Sequence, residues 1–167
     1  MKKTHLFKSD LKLQHLGYGE WIEEPDLVEF ESHGFKCICE RKFEIGYGGY
    51  WCGYVFITSN HPWFEKEYAH ISADIHGELT YSQLDNGSWK VGFDCAHCYD
   101  IVPSMEPIRK DIDKSIKESL PNIDISPVIF ERTYKNMDFV IKETEELARQ
   151  AKEAVNCPQL EKIDERL

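Results

Sequence analysis

The dipeptide Asn86-Gly87 separates two stretches in which apolar and polar residues alternate. Asn-Gly is typical of a two-residue hairpin turn, because both of its positions must adopt a positive φ. Residues 88–95 place a bulky apolar side chain at every second position, as in a strand with one buried face. We therefore predict an antiparallel hairpin in which residues 71–83 pair with residues 88–95.

The other strand signals precede this hairpin. Two runs joined by Ser32-His33-Gly34 predict a second hairpin, since this tripeptide favours a turn. In its second run Phe35, Cys37 and Cys39 fall on one face of the predicted strand. The segment Tyr54–Ile57 is apolar at every position, which predicts a central strand buried on both faces.

The chain after Pro103 has a helical pattern. Isoleucines recur every four residues at 108, 112 and 116. A second segment has apolar or small residues at helical spacing, which predicts a long amphipathic helix that ends before Cys157-Pro158. Its buried face would comprise Met137, Val140, Ile141, Thr144, Leu147, Ala148 and Ala151.

These patterns predict an α+β fold: a mostly antiparallel sheet with C-terminal amphipathic helices packed on one face. A length of 167 residues with 41% hydrophobic residues suits a single domain, residues 1–167. Within it we expect a β-rich sheet region at 26–102 and a helical layer at 105–155. The segments 1–20 and 157–167 are predicted to be peripheral termini.

Charge and hydropathy narrow the class of partner. A net charge of −10 argues against general nucleic-acid binding or attraction to an anionic membrane, which need a basic surface. No segment approaches the ~20 apolar residues of a membrane span, and the N-terminus lacks the apolar run of a signal peptide. We therefore expect a cytoplasmic protein without a membrane partner.

The stretch GFDCAHCYD, residues 92–100, concentrates groups that can do chemistry. The predicted hairpin would bring it toward His76, so His76, Asp94, His97 and Asp100 are candidate catalytic residues, with His70 and Glu78 in reserve. Imidazole and carboxylate together bind divalent metals, and they also serve as acid and base without a metal. The candidate metal ligands are His76, Asp94 and His97. The alternative is a solvated sheet face with a polar turn, in which an aspartate caps the next helix.

Cysteines and aromatic residues suggest two further sites. Four thiols, of Cys37, Cys39, Cys95 and Cys98, could form a tetrahedral zinc site, but two buried core thiols and two incidental ones explain them better. Aromatic residues beside glycines could instead stack a planar ligand, although such a run is more often core. The candidate ligand-binding residues are Tyr50, Trp51, Thr80 and Tyr81.

Several segments of the sequence form a specific pattern in their order and spacing. They are EFESHGFKCICER, GYWCGYVFITSNHPWFEKEY, DIHGELTYSQL with WKVGFDCAHCYDIVP, and YKNMDFVIKETEELARQ. Together they resemble a family of small uncharacterised bacteriophage proteins. The family carries a His-Gly-Gly-Leu-Thr-Tyr element, then Gly-Phe-Asp-Cys-Ala-His-x-Gly-Asp, then a C-terminal helix. The residues that match are His76, Gly77, Leu79, Thr80, Tyr81, Phe93, Asp94, Cys95, Ala96, His97 and Asp100. Glu78 and Tyr99 replace glycines of the pattern, and Cys98 has no counterpart.

The resemblance implies a phage protein and supplies no activity. By analogy with other small phage proteins, we expect a role in antagonising host defence. The first hypothesis is a metal-assisted or acid–base hydrolase of a small nucleotide-like substrate, with a divalent ion as its cofactor. The second is a non-catalytic protein that sequesters a nucleotide or inhibits a host defence complex. The third is a structural role, in which the cluster is a hydrogen-bond network that rigidifies the fold.

Overall fold

The computed structural model describes residues 1–44, 46–121 and 132–156. Its strands are Lys2–Thr4 (β1), Leu27–Ser32 (β2), Phe35–Arg41 (β3), Trp51–Ile57 (β4), Tyr81–Asp85 (β5) and Ser88–Asp94 (β6). Its helices are Ser9–Leu16 (α1), Glu106–Ser119 (α2) and Met137–Asn156 (α3). The strands form one antiparallel sheet in the order β1-β2-β3-β4-β6-β5. The predicted α+β fold is confirmed.

The centre of the sheet follows the sequence pattern closely. The strand β4 lies between β3 and β6, and six of its seven residues are buried, as expected for a strand covered on both sides. The β2–β3 turn places His33 and Gly34 at φ of 51° and 89°. The β5–β6 turn does the same with Asn86 and Gly87, at 49° and 83°. Both predicted turns are therefore confirmed.

The helix α3 covers one face of the sheet. Its buried positions are Val140, Ile141, Thr144, Leu147, Ala148 and Ala151, six of the seven predicted. The helix approaches β4 closely at Gly53, where a Cβ atom would lie 2.2 Å from the hydroxyl oxygen of Thr144. That hydroxyl also lies 3.3 Å from the Cys39 thiol on β3. Phe93 of β6 borders Gly53, so the α3 side of the sheet includes Phe93.

The predicted strand at 71–83 is only partly correct. The structure has a strand at Tyr81–Asp85, and residues 71–80 form a loop. Gly77 and Glu78 have φ of 65° and 69°, which is the left-handed region and interrupts an extended strand. Three of the four apolar side chains of the loop are nevertheless buried. The loop is attached to α3, because the Asp74 backbone N–H donates to Gln150 Oε1 at 2.8 Å.

The helix α2 departs from the predicted helical layer. It packs mainly against the short 3-10 turn Pro103–Met105 rather than on the sheet. Ile108 and Ile112, which the spacing places on a buried face, are each 52% exposed. Only α3 of the two C-terminal helices therefore covers the sheet within the described ranges.

The N-terminal segment is integrated into the fold rather than peripheral. The strand β1 pairs with β2, and a buried ion pair joins α1 to the segment before β2. Lys12 and Asp26 have fully buried side chains, with Nζ 2.8 Å from Oδ1. The other oxygen of Asp26 accepts from the backbone N–H groups of Leu6 and Phe7 at 2.9 and 3.2 Å. The second terminal segment, 157–167, lies outside the described residues.

Arg41 extends this ion pair into a buried network that reaches α3. Its Nε lies 3.3 Å from Asp26 Oδ1, and its Nη2 donates to Glu24 Oε2 at 2.6 Å. Its Nη1 donates to the Tyr134 hydroxyl at 2.7 Å. Glu24 Oε1 accepts from the backbone N–H of Met137 at 2.9 Å. The network therefore fixes the segment that leads into α3.

Among the residues that the structure describes, no helix combines the length and the apolar character needed to cross a bilayer.

Candidate functional site

Asp100 is the centre of a cluster with His76 and His97. Its Oδ2 lies 2.9 Å from Nε2 of His76 and 3.1 Å from Nδ1 of His97, and it accepts from the His97 backbone N–H at 3.0 Å. The Asp100 side chain is 1% exposed, whereas those of His76 and His97 are 21% and 30% exposed. The carboxylate is therefore buried beneath two imidazoles that reach the surface.

Three separate parts of the chain position these groups. His76 belongs to the 71–80 loop, and its backbone N–H donates to Glu143 Oε2 on α3 at 2.7 Å. Its ring contacts Phe139 of α3 edge-on, with 5.3 Å between centroids. Asp100 follows β6 and forms a parallel bridge with Thr133. The cluster thus assembles only when the loop, the chain after β6 and the start of α3 meet.

Gly77 is required by the position of the His97 ring. A Cβ atom at residue 77 would lie 2.0 Å from Cε1 of His97, and the backbone there has φ of 65°. Both the contact and the conformation favour glycine. Glu78 adopts a φ of 69°, a conformation in which a glycine would be unstrained.

Gly77→Ala is expected to displace the His97 ring and to weaken the binding of any ligand that contacts both imidazoles. The physical reason is the 2.0 Å approach, which no Cβ can occupy without a shift. NMR titration of the two imidazoles would detect a changed His97 environment. Gly87→Ala is the matched control, because it also has a positive φ, of 83°, but nothing lies near its Cβ position. Equal effects of both variants on His97 would contradict this role of Gly77.

Burial and hydrogen bonding act on Asp100 in opposite directions. Desolvation alone would raise the pKa of its carboxyl group, but hydrogen bonds from His76 and from the His97 backbone outweigh it, and the pKa is lowered. The carboxylate is therefore ionised at neutral pH. Its Oδ1 has no hydrogen-bond partner among the described residues, and Lys135 Nζ lies 3.9 Å away.

The three side chains of the cluster are close enough together to be considered as metal ligands. One ligand atom from each of His76, His97 and Asp100 lies within 4.8 Å of the other two. Zinc bonds to nitrogen and oxygen of about 2.0–2.2 Å imply separations of about 3.4 Å between tetrahedral ligands. The observed separations from Oδ2 to the two imidazole nitrogens, 2.9 and 3.1 Å, are close to that value. This group could therefore hold a divalent ion after small side-chain movements.

The structure does not bring Asp94 into this group, although the sequence suggested it as a ligand. Side chains alternate along β6, so Asp94 lies on the face opposite Phe93 and therefore away from α3. Its Oδ1 accepts from the Ala96 backbone N–H at 3.0 Å, which stabilises the turn after the strand. Asp100 is the carboxylate beside the two imidazoles. The reserve candidates His70 and Glu78 are exposed and lie outside the group.

The four-cysteine zinc site is not formed. Cys37, Cys39 and Cys95 are buried, Cys98 is exposed, and no cysteine belongs to a potential metal group in the described parts of the chain. Burial raises the pKa of Cys37 and of Cys39 to about 12 and also raises that of Cys95. These thiols are therefore protonated at neutral pH, which makes them packed core groups rather than nucleophiles.

The candidate ligand-binding residues do not form one site with the cluster. Trp51 is fully buried, with Arg41 stacked 4.6 Å from its ring centre, so it cannot stack a ligand. Tyr50 is half-buried, and Thr80 is exposed with its backbone N–H bonded to Gly92. Tyr81 contacts Tyr54 edge-on at 5.4 Å, on the sheet face away from α3. These four residues therefore do not form a common aromatic stacking pocket.

Sequence analysis missed Lys135 and Glu143, which border the cluster. Both are on the segment that begins α3, far from His76 along the chain, and no spacing rule connects them. The one local signal is Asn136, whose Oδ1 accepts from the Phe139 backbone N–H at 3.0 Å as a helix cap. That signal indicates where α3 begins, but it does not indicate which residues α3 contacts in the folded protein.

Comparisons with known proteins give no match: neither a protein-family model, nor a curated protein, nor a solved structure is similar to this chain.

Proposed function

We propose that this protein is a hydrolase of a small, nucleotide-like substrate and that His76, His97 and Asp100 hold a divalent metal ion. One observation carries the proposal: two imidazole nitrogens converge on a single oxygen of a buried carboxylate, within 4.8 Å of one another. The other oxygen of Asp100 is buried without a hydrogen-bond partner in the described structure.

A divalent ion at this position would supply two effects. It would lower the pKa of a coordinated water toward 7, and it would offset negative charge on the group under attack. In hydrolysis the water oxygen bonds to the attacked atom, the bond to the leaving group breaks, and a proton passes from the water to the leaving group. The imidazoles are 21% and 30% exposed, so a substrate can approach from solvent.

The same residues also support acid–base chemistry without a metal. Asp100 orients both rings through Nε2 of His76 and Nδ1 of His97, which leaves one other nitrogen on each ring for proton transfer. The two ring centroids are 5.2 Å apart, so one imidazole can accept a proton while its neighbour donates one. Inhibition by a chelator separates this mechanism from the metal-assisted one.

The biological setting that we propose rests on the resemblance to phage proteins. A small hydrolase of this kind would degrade a nucleotide signal of a host defence system in the host cytoplasm. The substrate would then be a small molecule, and no nucleic-acid or membrane partner would be needed. The net charge of −10 disfavours a nucleic-acid or anionic-membrane partner.

The test combines metal analysis with turnover. Protein stripped with a chelator is reloaded with Zn²⁺ or Mn²⁺ and incubated with cyclic and linear nucleotides, and the products are identified by mass spectrometry. His76→Ala and His97→Ala are expected to lose turnover, whereas His70→Ala is the matched control because His70 is exposed and outside the cluster. Turnover that survives in both cluster variants would refute the proposal.

The second candidate is a non-catalytic binder that sequesters a nucleotide or blocks a host defence protein. It is favoured by the fact that three nitrogen atoms lie 2.9–3.1 Å from Asp100 Oδ2, which holds the two partly exposed imidazoles in place as a binding surface. A thermal-shift screen detects such a ligand, since a ligand at 100 times its Kd adds about 2.7 kcal/mol to the free energy of unfolding. Recovery of a chemically unchanged ligand would favour the binder over the hydrolase.

A further inference from the structure

Lys135 is held beside the His–Asp cluster by three different groups. Its Nζ donates to Thr133 Oγ1 at 2.6 Å and lies 3.9 Å from Asp100 Oδ1. The ammonium also lies 5.2 Å from the ring centre of Phe139. The side chain is 20% exposed, so a positive charge is placed at the margin of the site rather than in bulk solvent.

The contact with Asp100 is an ion pair and not a hydrogen bond. At 3.9 Å the two groups attract one another, yet Asp100 Oδ1 remains without a hydrogen-bond partner in the described ranges. Thr133 accepts one of the three N–H groups of the ammonium. Among the contacts of the described residues, the ammonium therefore keeps donors for a further acceptor that approaches the cluster from solvent.

With a divalent ion bound, the charges around the cluster would favour an anion. Asp100 and Glu143 contribute two negative charges, and Lys135 contributes one positive charge. A divalent ion on the cluster would leave one positive charge in excess. Lys135 would also repel that ion, so its position hinders a simple metal site. An oxyanion bound by both cations would remove the repulsion and neutralise the excess charge.

We propose that Lys135 is a substrate-binding residue and that the group under attack is a phosphoryl group, with its oxyanion bound between the Lys135 ammonium and the metal on His76, His97 and Asp100. This inference rests on the proposed function and narrows it from nucleotide-like substrates in general to their phosphate esters and anhydrides. Lysine is suited to this role, because a compact ammonium pairs well with phosphate oxygens.

The experiment uses Mn²⁺ alone and inorganic phosphate as probes. Calorimetry measures Mn²⁺ binding to chelator-treated protein, and then phosphate binding to the Mn²⁺-loaded protein. In Lys135→Met we expect Mn²⁺ affinity to be equal or higher, because a repelling charge is removed. Phosphate affinity should fall about 10- to 100-fold, as expected for loss of one charge-assisted hydrogen bond. Lys135→Arg should retain part of the phosphate affinity, because it keeps the positive charge. It therefore separates the effect of charge loss in Lys135→Met from an effect of misfolding.

Lys142→Met is the matched control, since Lys142 is an exposed lysine on α3. It should change neither affinity. If Lys135→Met binds Mn²⁺ and phosphate as tightly as the wild type, the role of Lys135 is refuted while the metal site stands. If the wild type binds no metal and no phosphate, both the metal site and the anion site are refuted.

Discussion

Asp100→Asn is expected to lower the affinity of the protein for Zn²⁺ or Mn²⁺ at least about 100-fold. The loss of a residue that only hydrogen-bonds to a metal ligand weakens metal binding about 10- to 100-fold, and Asp100 is proposed as a direct ligand. The substitution removes the negative charge that lies 2.9 and 3.1 Å from the two imidazole nitrogens. It also replaces an oxygen acceptor by an amide of nearly the same size, so the packing of this buried position is preserved. Calorimetric titration of chelator-treated protein measures the change directly.

Asp94→Asn is the matched control for this prediction. Asp94 lies two residues beyond Gly92 in the same motif and was an equally strong candidate from the sequence, but its Oδ1 is bonded to the backbone of Ala96. We expect its Zn²⁺ and Mn²⁺ affinities to equal those of the wild type. A loss in Asp94→Asn with retention in Asp100→Asn would mean that the metal, if bound, lies on the other face of the sheet.

Asp26→Asn is expected to lower the free energy of unfolding by about 3–5 kcal/mol, the usual effect of removing one partner from a buried ion pair. Lys12 would keep a fully buried ammonium without the carboxylate that now lies 2.8 Å away. Arg41 Nε would also lose the charge at 3.3 Å. Urea unfolding followed by circular dichroism measures the effect.

Glu29→Gln is the matched control, because it breaks the surface pair that joins β1 to β2. Lys2 and Glu29 are 3.4 Å apart with side chains 75% and 34% exposed, and pairs of this kind contribute about 0–1 kcal/mol. The double variant Lys12→Met, Asp26→Asn should lose less stability than the two single variants added together. An Asp26→Asn protein as stable as Glu29→Gln would contradict the structural importance of the buried network.

Local sequence signals were sufficient for most of the sheet and for α3. The Asn86-Gly87 and His33-Gly34 turns require positive φ at adjacent positions, and few residue pairs tolerate that conformation. The apolar run of β4 and the helical period of α3 each reflect one buried surface. Such signals are contained within a dozen residues, so the sequence alone indicates them.

The 71–80 loop shows where local signals fail. Its alternating residues suggest a strand, and three of its four apolar side chains are indeed buried, but Gly77 and Glu78 have left-handed backbone conformations. The alternation here reflects burial against α3 and not strand pairing. In α2 the isoleucines recur at helical spacing, and the helix forms, but Ile108 and Ile112 are exposed because the helix does not pack on the sheet.

The cluster was predicted only in part. The sequence did not indicate on which face of the sheet each carboxylate lies, or which residues distant along the chain border the cluster. The turn at Asn86-Gly87 allowed us to expect that His76 and His97 would meet, since a hairpin brings its ends together. The choice of Asp100 over Asp94 required the turn after β6, which leaves Asp94 on the opposite face of the sheet. Lys135 and Glu143 depend on the docking of α3, which no local pattern encodes.

The sequence by itself determined the turns, the strands that flank them, the amphipathic helix and the neighbourhood of the His–Asp motif. Each of these follows from conformational preference or from burial periodicity within a short segment. Only the tertiary structure decided which carboxylate joins the imidazoles and which lysine borders them. The same holds for the charged groups of Lys12, Asp26 and Arg41, which are buried together. These are contacts between distant segments, and their energies depend on mutual desolvation that exists only after the chain has folded.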